Sequence, residues 1–284
     1  MISTDLPFAP KIIKRVSRTL PTSACTVVVE TDCGTGYLKA IGNDEGPSIL
    51  ACELIGTRLA KWFGLSTFDF AIIDVMDYHN IQFHNQNRAT PGPAFITRAE
   101  QGDQWDGTVK QLKQLSNPED ISRLVVFDTW TLNCDRFSVV GMGVAAKTRR
   151  NQGNVFLSEE SQPGTLELKA MDQTHCFSCG HSLSQKILGL DTIRDPRVFG
   201  VFPEFRTLLV RELVKLAASE LRSITKSVID EITSNVPYQW EVGPANTELL
   251  RNLLLGRAAF VADTIEEKLW PQRDILPQSS SDKS

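Results

Sequence analysis

The spacing of apolar residues changes period along this chain, and that change limits what it can fold into. Residues 26–41 run "TVVVE", "TDCGTG", "YLKAI", which reads as strand, glycine-bearing tip and strand, a hairpin. From about Ile49 to Phe63, Cys52, Ile55, Leu59 and Trp62 recur at steps of three, four and three residues, the period of a helix, with Gly64 placed to stop it. "FDFAIIDV" (68–75) reads as a buried strand. Residues 78–95 are polar and reach Pro91-Gly92-Pro93, so they read as the connection between two lobes. After Trp105 the helical period dominates. The expected organisation is a β-rich N-lobe over 1–95, a mostly helical C-lobe over 96–273 and a disordered tail over 274–284, whose "PQSSSDKS" ending lacks apolar residues.

In the second part, Asn117-Pro118-Glu119-Asp120 is a helix start, with Asn as cap, Pro at the first position and acids in the first turn. The helix that follows carries Ile121, Leu124, Val125 and Leu132 on one side. Asp128 falls on the same stripe and needs a partner there, either as a satisfied buried carboxylate or as a brace for the loop holding Asp135. "NVFL" and "ELKAMD" read as a short hairpin. Residues 204–235 and 246–270 carry Leu, Val and Ile at helical spacing.

Composition excludes several classes of function. With 284 residues, 41% hydrophobic, 23% charged and a net charge of −4, the chain is ordinary for a globular protein. It lacks the basic excess of a nucleic-acid binder; Lys147-Thr148-Arg149-Arg150 is its one basic knot. No run approaches the ~18 apolar residues of a membrane helix, and no cleavable leader opens the chain, so a cytoplasmic setting without membrane contact is expected. The six cysteines are scattered except for Cys176-x-x-Cys179, flanked by His175 and His181. That pair offers half a zinc site with no second half, and reduced thiols fit better.

Phosphoryl transfer needs charge neutralisation and positioning: a lysine on the phosphates, an Asp near the attacking hydroxyl, and an Asn and an Asp holding magnesium. Lys39 on a strand, Glu53 on the next helix, then Asp135, Asn154 and Asp172 supply these in order. "YLKAIGNDEGPSILACELIGTRLAKWFGL" and "FDTWTLNCDR…NVFL…LKAMDQTHCF" resemble the lysine strand, helix, catalytic loop and metal aspartate of the HipA-like kinases, in their compact single-domain branch, an arrangement shared distantly with the phosphoinositide kinases. The resemblance covers roughly residues 25–180. It implies an α+β, two-lobed protein-kinase-like fold, with ATP and Mg2+ as cofactors and a Ser/Thr hydroxyl of a protein as acceptor. Lys39 would contact the phosphates and Glu53 would pair with it. Asp135 would be the catalytic base in a loop shared with Asn133 and Arg136, the latter steadying it. Asn154 and Asp172 would hold the metal.

The sequence departs from the family in placing 17 residues, 137–153, between Arg136 and Asn154. That segment is expected to loop out, exposed and mobile; otherwise Asn151 is the metal residue. Two glycine-bearing turns, "DCGTG" and "GNDEG" (42–46), are candidate phosphate covers. A pseudokinase or partner-binding module is the rival reading, and a lipid or small-molecule acceptor the alternative substrate. The growth-arresting toxins among the family's members leave room for a neutralising partner protein.

Overall fold

The first five strands form one antiparallel sheet in the order β1-β2-β3-β5-β4, from β1 (Ile13–Thr19), β2 (Val27–Thr31), β3 (Gly34–Lys39), β4 (Phe70–Val75) and β5 (Gly92–Arg98). They belong to a computed structural model that describes residues 8–140, 147–177, 180–186 and 188–271. The β2–β3 hairpin is the one the sequence implies. β1 is not legible there, because register shifts between Ile13 and Arg15 and between Val16 and Arg18 break the period-two alternation that marks a strand. β4 is an edge strand, so only Ile73 and Val75 of it are fully buried; the expectation of a buried strand fails there. The 78–95 stretch is also not a connection between lobes. Its end is β5, which pairs with β3 and β4 inside the sheet, and residue 95 lies within that strand.

The chain leaves the first sheet after Arg98 and enters a second through β6 (Gly102–Gln104). β6 joins β9 (Val155–Ser158) and β10 (Glu167–Ala170) in the order β10-β9-β6. Between them come α2 (Val109–Leu112), α3 (Asp120–Thr131) and the two-stranded β7 (Phe137–Val140) and β8 (Lys147–Arg150). Asn117 does not cap α3. It is held by β10 instead, its amide accepting from the Leu168 N–H and donating to the Leu168 carbonyl. α4 (Leu190–Ile193), α5 (Pro203–Arg206), α6 (Arg211–Arg222), α7 (Lys226–Thr233) and α8 (Pro244–Leu269) complete the helical body, where α8 packs on α3 and α6. None of the described helices is long and apolar enough to cross a membrane.

α1 (Ser48–Trp62) joins the two halves and is buried nearly all round. Cys52, Ile55, Leu59 and the following Phe63 enter the large core with Phe127 and Trp130 of α3. Ile49, Leu50 and Leu54 pack with Phe95 of β5 and with Trp240, whose indole donates to the Pro93 carbonyl at 2.9 Å. Gly64, at φ +74°, ends the helix as expected.

The segment 137–153 is only partly looped out. Phe137 belongs to the large core and Ser138 is buried. Arg150 lies over the rings of Trp105 and Phe202 and pairs with Glu204 at 3.0 Å. The hairpin is therefore anchored by packing that its composition did not reveal, and the expected exposure is found at Val139 and along β8. Residues 141–146, the expected tail over 274–284 and Cys179 lie outside the described residues.

Candidate active site

Alternation along β3 sends Leu38 into the core of the first sheet and Tyr37 and Lys39 to its other face. On β5 the same rule buries Ile96 and puts Phe95 and Thr97 beside them, in the register Tyr37 to Thr97 and Lys39 to Phe95. These four side chains form the roof of a cavity of about 840 Å³ between the sheets, a size that suits a small-molecule ligand.

At one end of the cavity Lys39 is neutralised twice. Its Nζ lies 2.9 Å from Glu53 Oε2 on α1 and 3.0 Å from Asp172 Oδ1. Burial works to lower the lysine pKa, but the two carboxylates outweigh it and push it above its ordinary value. Burial raises Glu53, with Lys39 pulling the other way. For Asp172 the net direction reverses: burial opposes ionisation, yet Lys39 and the Thr174 hydroxyl, 2.7 Å away, together bring its pKa down to about 2. Asp172 follows β10 in the left-handed region, φ +55°, which Asp tolerates better than most residues. The turn comes very close to α1, since a Cβ on Gly56 would lie 2.5 Å from that of Gln173. The Gln173 N–H donates to Glu53 at 3.1 Å, so a glycine within the helix, locally unfavourable, lets helix and turn meet.

Asp135 lines the same cavity from the loop after α3, with His175 and Thr174 between its carboxylate and that of Asp172. The helix stops at Leu132 in the left-handed region, with the Asn133 N–H returning to the Asp128 carbonyl. Arg136 lies behind the loop, fully buried, and reaches three segments: Asp128 Oδ1 on α3 at 2.7 Å, the Asn154 carbonyl at 3.1 Å and the Met171 carbonyl at 2.7 Å. Asp128 is thus the brace of the catalytic loop. Burial raises its pKa to about 6, against the pull of Arg136. Asn133 also lies behind the cavity, accepting from the Asp135 N–H and donating to Gln173, each at 3.3 Å. Asn133 and Arg136, expected beside Asp135 as catalytic-loop residues, position that loop without lining the cavity.

The Asp135 carboxylate is fully engaged. Oδ2 accepts from Asn154 at 2.7 Å and from Asn151 at 3.1 Å. Oδ1 pairs with Arg149 of β8 at 2.5 Å. Asn151 and Asn154 therefore converge on one oxygen atom, and the long spacing from Asp135 to Asn154 is closed by the β7–β8 hairpin.

A model of HipA-like kinases matches residues 31–177, which contain Lys39, Glu53, Asp135, Asn154 and Asp172. The chain belongs to the HipA-like kinases. This HipA-like kinase has no match among curated proteins. Among solved structures it is similar to the crystal structure of the Helicobacter pylori proinflammatory kinase CtkA, with TM-score 0.58 and 12% identity over 92% of this chain and 97% of that one. It is more distantly similar to the golgi casein kinase, with TM-score 0.43 and 8% identity over 90% and 75%, too remote to support an argument. The family and the fold make the chain a phosphotransferase with a two-lobed, protein-kinase-like α+β architecture.

The loop that covers the cavity of this HipA-like kinase is neither of the glycine turns. Gly36 sits within β3, where a Cβ would lie 2.7 Å from the Ile96 side chain, so close packing explains it. The 42–46 turn contributes no lining residue. The cover is the β1–β2 connection, "LPTSACT" (20–26), from which Leu20, Thr22, Ser23 and Thr26 line the cavity. It is tied internally by the Thr22 hydroxyl, which donates to Thr26 Oγ1 and accepts from the Thr26 N–H, both at 3.0 Å. Its cluster of Pro, Ser and Thr is a turn signal that was available in the sequence, but without β1 it had no strand to follow. His175, weighed above as half a zinc pair, stands between Asp135 Oδ2 at 3.7 Å and Glu45 Oε1 at 3.6 Å.

Asp172, Asn154 and Asp135 share the cavity wall. An ionised carboxylate beside a neutral amide oxygen is a donor set that fits magnesium, which binds to one or two carboxylates together with phosphates and water.

Proposed function

We propose that this HipA-like kinase transfers the γ-phosphoryl group of ATP, with Mg2+, to a Ser or Thr hydroxyl of a protein. The observation that carries the reading is the joint presence, on one cavity, of a doubly paired lysine and of Asp135 held by two asparagines. Tyr37, Phe95 and Phe156 offer apolar surface for a base, and Lys39 meets the phosphates. Asp172 and Asn154 would hold Mg2+, which would offset charge on the phosphates. Asp135 orients the acceptor hydroxyl and takes its proton. The acceptor oxygen forms a bond to the γ-phosphorus while the bond to the β–γ bridging oxygen breaks, and ADP leaves with that electron pair.

Arg149 on Asp135 favours a second reading, a partner-binding protein whose base is permanently blocked. Incubation with labelled ATP and Mg2+, followed by measurement of self-labelling and phosphate release, separates the two. Mg2+-dependent turnover that disappears in Asp135→Asn is expected. Nucleotide binding without any turnover assigns the chain to the second reading.

A further inference from the structure

The ion pair between Arg149 and Asp135 covers the one oxygen of the candidate base that no asparagine holds. One oxygen atom holds two amide donors from residues flanking or within the turn before β9, and the other holds the guanidinium. The two sets of partners differ in how firmly they are held. Asn154 is buried and its own carbonyl is bound by Arg136, so it cannot leave without dismantling the loop. Arg149 extends from a strand in which its sequence neighbours Lys147 and Thr148 are exposed, and its own side chain is 49% accessible. Of the groups on Asp135, Arg149 is therefore the one an incoming acceptor displaces most easily, and a half-exposed guanidinium moves most readily to another anion.

The geometry points to Arg149 as the acceptor-specificity residue: it releases Asp135 to bind a carboxylate or phosphoryl side chain flanking the acceptor Ser or Thr, so that the protein substrate is acidic around its target. This rests on the phosphotransferase reading above. Charge on β8 agrees with it, since Lys147 and Arg149 are both exposed while Arg150 is committed to Glu204 and anchors the strand. So does the backbone. Among the described residues β8 pairs only with β7, and its other edge offers an extended peptide a row of main-chain partners. A planar guanidinium suits two-pronged recognition of a carboxylate or phosphate. The same exchange explains how a base paired with a cation in the absence of acceptor becomes an acceptor of protons in its presence: the incoming anion takes the cation away.

The test compares seryl peptides of one neutral frame in which the residues flanking Ser are glutamate, alanine or lysine. Labelled phosphate transfer gives kcat/KM for each, with wild-type protein, Arg149→Ala and Arg149→Glu. Mg2+-dependent ATP hydrolysis without peptide, and calorimetric titration with ATP, are read in parallel. The wild type is expected to favour the glutamate peptide over the alanine peptide by at least about tenfold, the factor that about 1.4 kcal/mol represents. In Arg149→Ala that ratio should collapse to within about twofold, and in Arg149→Glu the preference should turn to the lysine peptide. A wild type without acidic preference, or a preference that survives Arg149→Ala, overturns the proposal. Continued ATP hydrolysis with no peptide labelled also overturns it while leaving the phosphotransferase reading in place. Protein that neither binds nor hydrolyses ATP removes that reading and the proposal with it.

Discussion

Lys39 is answered by Glu53, buried on a helix, and by the partly exposed Asp172 on a turn held against that helix, whereas Asp135 is answered by a half-exposed arginine on a two-stranded hairpin. Lys39 ends a strand of the first sheet, Glu53 lies on a helix buried between both halves, and Asp172 is held against that helix by Gly56. Removing Lys39 leaves the buried Glu53 carboxylate without its cation, at a cost of roughly 3 kcal/mol, the low end for a buried pair because Asp172 is partly exposed. Arg149 has water as an alternative partner, and the buried Asp135 keeps its two asparagine donors when the guanidinium leaves. The lysine cluster is therefore assembled before any ligand arrives, and Asp135 is covered by a contact that a competing anion can open.

The largest effect should come from Asp135→Asn, which keeps the shape of the side chain and its place in the loop. Transfer should fall by about 10²–10⁴-fold, the usual contribution of a positioned base, while calorimetry with Mg2+ and ATP shows affinity within a few-fold of wild type. Equal loss of binding and transfer would break the division between the lysine cluster and Asp135. Next in size is Lys39→Met. It leaves Glu53 and Asp172 facing each other without their cation, so urea unfolding should show a loss of about 3 kcal/mol together with loss of ATP binding; an unchanged midpoint would show that the cluster is not pre-assembled.

Acidification tests the same cluster without a large change in shape. The folded pKa of Asp172, about 2, lies below the unfolded value. Its contribution is therefore present above pH ~4 and is lost as pH falls from about 4 towards 2. The loss is at most about 2 kcal/mol, because the carboxylate is 27% accessible and partly screened. Asp172→Asn should flatten that part of the stability curve. The smallest effect belongs to Gly56→Ala: a methyl group against Gln173 should cost about 1–3 kcal/mol in overpacking, offset by about 1 kcal/mol of helix propensity. Nucleotide affinity should fall more than stability, since the turn that moves carries Asp172. Stability lost with affinity intact would place the contact outside the site.

Much of the architecture is legible in the sequence where local pattern and tertiary role agree. The β2–β3 hairpin, α1 with its glycine stop and the β9–β10 hairpin announce themselves because their period is uninterrupted. β1 does not, since its two register shifts interrupt it. The Pro-Gly-Pro before Ala94 looks like a linker, although the chain pairs from Gly92 onward between two other strands. Phe137 looks like part of a polar loop because nothing nearby in sequence says that Phe202 will cover it; their rings stand 5.2 Å apart across 65 residues.

The sequence by itself determined the candidate chemical parts: Lys39, Glu53, Asp135, Asn154 and Asp172, in an order and on elements that a phosphotransferase needs, because strand, helix and turn signals are local and residue type is explicit. Only the tertiary structure decided what each part faces. It set Arg136 and Asn133 behind the cavity, made "LPTSACT" its cover, brought Asn151 and Asn154 to one oxygen of Asp135, and laid Arg149 on the other. Those outcomes depend on contacts between segments far apart in the chain, whose relative placement is fixed by the packing of α1 between two sheets and a helical core, and packing of that kind leaves no periodic trace in any one stretch of sequence.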